Sequence, residues 1–268
     1  LEENSKIFSF QITIDGVEDI HNERKPHYRN KDSFAKITSN VDSLLKLGIS
    51  VSIRINTDPY TMERADELLD YFKEKGWLQY QNFKAYYALL RKEVPIKGEN
   101  GEYSKEMFTQ SSFFCTYLQK GLEKQGCGKV MCQDYSVRSV LTNMLLGKST
   151  PYKSHFCGAQ SGMIIFDPLG DIYSCWDVVG QREYRVGHYM PDFVLEDTFA
   201  DKWFDSRVSK FSCIKCKYVL FCGGGCLANA IRTTGNLQSG TCNDYPRLFN
   251  AEIKYIYNEK IKKGIDEN

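Results

Sequence analysis

The sequence predicts an α/β protein in three parts: a parallel strand–helix layer over residues 1–93, a helical connector over 94–150 and a small cysteine-rich α+β domain over 151–268. Two observations carry this. Short β-rich runs alternate with helix-period segments through the first third of the chain, which is the pattern of parallel strands joined by crossover helices. The ten cysteines are the second: none precedes Cys115, and seven lie between Cys157 and Cys242.

The first strand is Ile7–Gly16 (IFSFQITIDG), closed by the Asp15-Gly16 turn signal. A helix follows, with Phe34, Ile37, Val41, Leu44 and Leu45 at helical spacing and Gly48 as its stop. Ile49–Asn56 alternates as a second strand with one apolar face. A second helix is expected from Thr61 to Lys75, with Ala65, Leu68, Leu69 and Phe72 inward, and a third strand from Phe83 to Leu90. The connector opens on the polar turn Lys97–Glu102 and continues as one helix from Ser104 to Lys124 and another around Val137 to Leu146. Met163–Phe166, the turn Asp167–Gly170 and Asp171–Cys175 read as a β-hairpin that brings Cys157 and Cys175 together. A last helix spans about Tyr245 to Lys263, carrying Leu248, Ile253, Tyr255 and Ile256.

Composition is that of a soluble globular protein, with 42% hydrophobic and 26% charged residues and a formal charge of +1. Such balance gives no general attraction to nucleic acid or anionic membrane. No apolar run reaches the roughly 18 residues of a membrane-spanning helix, and the cytoplasm is the expected compartment. The even cysteine count leaves a disulfide scaffold open, but clustered thiols and the lack of any Asn-x-Ser/Thr sequon argue for free thiols in a reducing compartment.

The cysteines form an ordered pattern: Cys157-x12-Gly170-x4-Cys175, then Cys213-x2-Cys216-x5-Cys222-x3-Cys226, then Cys242. Close Cys-x2-Cys spacing turns two sulfurs towards one point, a metal-ligand arrangement. Taken alone, Cys213–Cys226 suits zinc or iron equally. Gly223-Gly224-Gly225 follows no strand, so it reads as a place where the backbone approaches a metal cluster closely and not as a phosphate loop. Cys115, in a helical stretch, is expected to be an inert buried thiol.

This seven-cysteine pattern resembles the SPASM domain of radical S-adenosylmethionine (SAM) enzymes. The resemblance implies two auxiliary 4Fe-4S clusters, one on Cys213, Cys216, Cys222 and Cys242, the other on Cys157, Cys175 and Cys226. The second cluster needs a fourth ligand, for which Cys132 is chosen as the nearest in sequence; Cys127 and an open iron site are the alternatives. Thr13–Gly16 with His21 and Arg24, then Ile53–Asn56, resemble the second half of a radical SAM partial barrel. The implied fold is therefore an incomplete parallel β/α barrel followed by a SPASM domain. The Cys-x3-Cys-x2-Cys motif of that family, which holds a third 4Fe-4S cluster, and its Gly-Gly-Glu segment do not occur in this sequence. A piece of a longer enzyme, with this chain alone inactive in SAM cleavage, is the expectation; a protein that has lost SAM cleavage is the alternative.

Arg24 and Arg54 fall near the strand ends, where a SAM carboxylate could be held, and Thr13 and Asn56 are their polar neighbours. Ordinary strand-end roles are the alternative. His21 is expected to cap a turn, and His27, His155 and His188 stand alone. By resemblance, sulfatase-maturing members place an Asp base directly after the second patterned cysteine; here Trp176 stands there and Asp177 one later. Asp177 is thus a candidate substrate-side carboxylate, with a solvated loop residue as the alternative. The resemblance implies a peptide or protein substrate, usually a ribosomal precursor peptide, an auxiliary cluster that accepts an electron or binds substrate, and a reductant such as flavodoxin or ferredoxin. A sulfatase maturase, a small-alcohol dehydrogenase and a zinc-stabilised binding module are the competing readings.

Overall fold

The computed structural model describes residues 8–90, 108–133, 137–150, 152–197 and 199–262. The chain divides into two compact units, one made of residues 1–91 with 104–134, the other of 92–103 with 135–268. The expected 94–150 connector is therefore shared between the units.

The first unit is a four-stranded parallel sheet in the order β1 (Ser9–Thr13), β2 (Ser50–Thr57), β3 (Phe83–Leu89), β4 (Val130–Cys132). Ile12 pairs with Ile53, Ile53 with Ala85, and Ala85 with Val130. Helices α1 (Glu18–Arg24), α2 (Phe34–Lys46), α3 (Pro59–Glu63), α4 (Ala65–Glu74), α5 (Gln110–Gln119) and α6 (Leu122–Gln125) connect the strands. In α2 the buried residues are Phe34, Thr38, Val41 and Leu45, one stripe at helical period. The single helix expected from Thr61 to Lys75 is two, broken at Arg64; Asp58 caps the first by accepting the Thr61 N–H at 2.8 Å, with Pro59 at its first position.

Two elements of this unit escaped the sequence reading. Helix α1 has only Ile20 and His21 buried, too few for a periodic signal. Strand β4 is three residues long, and pairing with β3 defines it. The helix expected over Ser104–Lys124 is, in its described part, α5 and α6, separated at Gly121 in left-handed geometry. The Lys97–Glu102 turn lies outside the described residues. Cys115 corrects an expectation: Phe113, Phe114 and Tyr117 form the buried stripe of α5, and Cys115 falls out of phase and is exposed.

The second unit holds an antiparallel sheet in the order β5 (Ile165–Phe166), β6 (Asp171–Tyr173), β7 (Arg185–His188), β8 (Val194–Leu195). The β5–β6 hairpin is the expected one. Its turn is tied by Asp167 Oδ1, which accepts from the Leu169 and Asp171 N–H groups at 2.8 and 2.9 Å, and Gly170 takes φ +100°. Trp203, Ile172, Tyr173 and Phe211 anchor the core beneath it. Helices α7 (Val137–Leu145), α8 (Val219–Cys222), α9 (Leu227–Thr234) and α10 (Tyr245–Ile256) complete the unit. The inward face of α10 is Leu248, Phe249, Glu252 and Ile256; Ile253, expected inward, is 42% exposed because it lies off that stripe. The helix runs on as a π turn to Lys262, and Lys263 lies outside the described residues. Among the described residues no helix is long and apolar enough to cross a membrane.

Candidate metal centre and strand-end site

The patterned cysteines sit at element ends. Cys157 precedes a 3-10 turn (Gly158–Gln160), Cys175 precedes another (Trp176–Val178), and Cys226 caps α9. Cys213 and Cys216 share a tight turn in which the Cys216 N–H donates to the Cys213 carbonyl at 2.9 Å; Cys222 ends α8, and Cys242 follows α9. Electrostatics groups the thiols. Burial pushes Cys175 up to about 12, with the charges of Cys226 and Cys157 adding to the rise. Burial also raises Cys222, with contributions from Cys213, Cys242 and Cys216, and raises Cys213, with contributions from Cys216 and Cys242. None of the ten cysteines forms a disulfide.

Backbone N–H groups are aimed at the sulfurs. Gly224 donates to Cys222 Sγ at 3.2 Å, Asp177 to Cys175, and Gln160 to Cys157. The thiolates are thus offered hydrogen bonds, while burial penalises their charge. That combination is stable once a cation offsets the desolvation, which is the chemistry of a metal–thiolate site. Among the described residues, no group of three or more His, Cys, Asp or Glu side chains converges on a single-ion position.

The glycine triplet has a specific function in this packing. Gly223, Gly224 and Gly225 all take positive φ, between 74° and 85°. A Cβ on Gly223 would overlap the His155 carbonyl oxygen, one on Gly224 the Phe211 ring, and one on Gly225 the Thr241 carbonyl oxygen. The triplet therefore lets the segments leading to Cys157 and Cys242 press onto the Cys222–Cys226 loop. The close approach is to backbone carbonyls at Gly223 and Gly225, to the Phe211 ring at Gly224 and to the Cys213 sulfur at Gly240.

In the second unit, Gln160 is a residue the sequence reading missed. Fully buried, it accepts the Phe156 N–H at 2.9 Å and the Cys157 N–H at 3.4 Å through Oε1, and donates from Nε2 to the Ser206 carbonyl at 2.5 Å. Asp177 pairs with Arg232 at 3.7 Å, and Trp176 is 70% exposed. His155 is held below its ordinary value by burial and then by the charges of Arg207 and Lys153.

In the first unit, Val51, Ile53, Ile55 and Thr57 of β2 are buried, while Ser52, Arg54 and Asn56 are half-buried on the opposite face. A parallel sheet is normally apolar on both faces, so a polar face marks a place where something other than core is met. Thr13 lies in register with Arg54. Arg54 Nε donates to Asn56 Oδ1 at 3.0 Å, and Asn56 Nδ2 donates to Asp15 Oδ1 at 2.8 Å. Arg24 donates to the Asn56 carbonyl at 3.3 Å and pairs with Asp58 at 2.5 Å; Lys25 pairs with Asp15 at 3.3 Å. Burial alone would raise Asp58, but the Arg24 guanidinium and Thr61 outweigh it and hold that carboxyl below its usual value. His21, buried in α1, accepts the Asp15 N–H at 3.0 Å, a turn-holding role like the expected one.

The structure thus joins Arg24, Arg54 and Asn56 in one network with Thr13 in register beside it. It adds Asp15, Lys25 and Asp58, which sequence reasoning missed; the Asp58-Pro59-x-Thr61 cap was the available signal for the last. Cys132 ends β4 in the first unit, buried, with Sγ 3.7 Å from the Gln133 carbonyl oxygen; Cys127 is exposed at φ +53°.

No protein-family model matches the chain. Among curated proteins, it is 22% identical to a serine-type anaerobic sulfatase-maturating enzyme of Bacteroides thetaiotaomicron, across 91% of this chain and 62% of that protein. A cysteine-type anaerobic sulfatase-maturating enzyme of Clostridium perfringens is 24% identical across 84% of this chain and 59% of its own. The chain therefore spans about three fifths of the length of these relatives. Among solved structures, native anSMEcpe with bound AdoMet aligns over 100% of this chain and 72% of its own, with TM-score 0.62 and 18% identity. Streptococcus suis SuiB aligns over 87% and 54%, with TM-score 0.54 and 13% identity. These likenesses bear out the α/β fold with its parallel sheet.

Proposed function

We propose that this chain, a radical SAM/SPASM protein by its relatives and its cysteine pattern, works within a peptide-modifying enzyme and holds two auxiliary 4Fe-4S clusters in its second unit. One observation carries the reading: the seven patterned thiols fall into the electrostatic sets Cys157/Cys175/Cys226 and Cys213/Cys216/Cys222/Cys242. When bound, such a cluster supplies a one-electron store whose potential follows burial and hydrogen bonding to sulfur. This chain's own contribution is to hold the thiolates with the N–H groups of Gln160, Asp177 and Gly224 and to keep water from the Cys175 side.

In the first unit the strand-end network carries three cations, Arg24, Lys25 and Arg54, against two carboxylates, Asp15 and Asp58. One positive charge is left over, which suits the carboxylate of an amino-acid-like ligand such as SAM. Arg54 is the better placed of the two arginines, because Asp58 already engages Arg24. A peptide substrate is supported by the neighbours solved with peptides, anSMEcpe with Kp18Cys and SuiB with SuiA.

Sulfatase maturation is the second reading, favoured by the names of the curated relatives. Trp176 next to Cys175, and the pairing of Asp177 with Arg232, count against it. The test is anaerobic purification and reconstitution with iron and sulfide. About eight irons per chain with a broad band near ~400 nm support two 4Fe-4S clusters; stoichiometric zinc without visible absorption would overturn the reading and leave a structural module.

A further inference from the structure

We infer that the surface around Cys216 and Cys242 docks an acidic one-electron carrier protein of the flavodoxin or ferredoxin type. The purpose of the contact rests on the cluster reading above; the surface itself stands on charge and exposure.

Within the set Cys213/Cys216/Cys222/Cys242, Cys213 and Cys222 are half-buried, whereas Cys216 and Cys242 are exposed. One edge of this thiol group therefore reaches solvent. Lys215 and Lys217 flank Cys216 directly, and both are exposed. The chain as a whole is nearly neutral at +1, yet residues 202–232 carry six Lys or Arg against one acid, Asp205. Lys210 engages Asp205 and Asp177 engages Arg232, so the excess falls on Lys202, Arg207, Lys215 and Lys217.

More positive charge adjoins this stretch. The Lys153 N–H donates to the Leu220 carbonyl at 2.7 Å, and the Val208 N–H to the Ser154 carbonyl at 3.0 Å, which fixes the backbone carrying Lys153 against α8 and the Arg207 segment. Apolar groups are interleaved with the charges: Ile214 is 44% exposed, Leu220 43% and Phe204 48%, and the Arg207 guanidinium lies 4.6 Å from the Phe204 ring centroid. Apolar contact groups set among like charges are the composition of a recognition surface, and the sign specifies an acidic partner. A partner bound here sits at the solvent-facing edge of a thiol group, which is useful only for a carrier that exchanges electrons. In the exchange, one electron leaves the carrier's reduced centre for the oxidised cluster, and no bond is made or broken.

The test uses the full reconstituted chain and an acidic flavodoxin as probe, with Kd measured from low to physiological salt. Reversing Lys215→Glu with Lys217→Glu is expected to raise Kd about tenfold or more at low salt and to flatten the salt dependence. Lys153→Glu with Arg207→Glu, set away from Cys216, should act in the same direction, and Lys84→Glu on β3 should leave Kd unchanged. Iron content and visible spectrum are read on every preparation. A chain holding about eight irons whose flavodoxin binding ignores both reversals overturns the docking surface alone; a wild-type chain that takes up no iron overturns the cluster reading and the carrier with it. Full competition by an acidic peptide without a redox centre, with electron transfer insensitive to salt, would reassign the surface to an acidic polypeptide and overturn the inference.

Discussion

Gln160→Leu isolates one of the two thiol groups. Leu is close to Gln in size, so the change deletes hydrogen bonds without opening a large cavity. It removes the Gln160 side chain as partner of the part-buried Phe156 and Cys157 N–H groups and of the buried Ser206 carbonyl. A buried polar group deprived of its partner costs about 1–3 kcal/mol. The Cys157 contact is long at 3.4 Å and the Phe156 N–H is part-buried, so one full loss and two partial ones give about 2–4 kcal/mol, a large share of a typical domain's stability. The damage is local, because these bonds set the backbone that presents Cys157. Iron retained after reconstitution should fall from about eight towards about four per chain, leaving the Cys213 group loaded. Iron analysis, with electron paramagnetic resonance of the reduced protein to count distinct clusters, provides the measurement, and Cys213→Ser serves as the complementary control. Gln160→Leu with full iron and an unchanged melting temperature would refute the positioning role.

Gly225→Ala forces a Cβ onto the Thr241 carbonyl at φ +84° and should cost more than about 2 kcal/mol; loss of iron from both sets, against a mild effect of Gly235→Ala where space is open, checks it. Glu252 is fully buried against Arg138 at 3.5 Å. Glu252→Gln should destabilise the second unit by about 2–3 kcal/mol, since Arg138 keeps 23% exposure and part of its hydration; urea unfolding within about 0.5 kcal/mol of wild type would count against the pair. Burial holds His21 below its ordinary 6.5, with Asp15 opposing and Lys25 assisting. The folded state therefore binds fewer protons than the unfolded, so this contribution is present above pH 6.5 and is lost as pH falls through the folded value. Unfolding curves between pH 7.5 and 5 should show a slope that His21→Gln reduces.

Legibility followed burial and periodicity. Strands β2 and β3 and helix α2 were readable because one face of each is apolar at a fixed period and buried, β1 because a β-rich run ends at Asp15-Gly16, and the β5–β6 hairpin because Asp167 and Gly170 carry turn chemistry. Strand β4 and helix α1 were not, since tertiary partners define them: β4 by pairing with β3, α1 by His21 reaching the Asp15 N–H. Arg24, Arg54 and Asn56 could be picked as polar residues at strand ends, but their assembly depends on Asp15 and Asp58, whose roles appear only when strands lie side by side. Gln160 had no signal at all, because a lone glutamine three residues after a cysteine has no pattern until Ser206 is beside it.

The two thiol sets are interleaved along the chain, and this couples them physically. Cys222 of one set and Cys226 of the other are separated only by Gly223-Gly224-Gly225, whose backbone is packed against His155 on one side and Thr241 on the other. Thr241 is further tied to this loop, donating from its backbone N–H to the Gly224 carbonyl at 2.9 Å and from its hydroxyl to the Cys226 carbonyl at 3.0 Å. Opening either set must therefore strain the loop that presents a thiol of the other. Loading of the two sets should be cooperative: substoichiometric iron should give a mixture of empty and doubly loaded chains in native mass spectrometry.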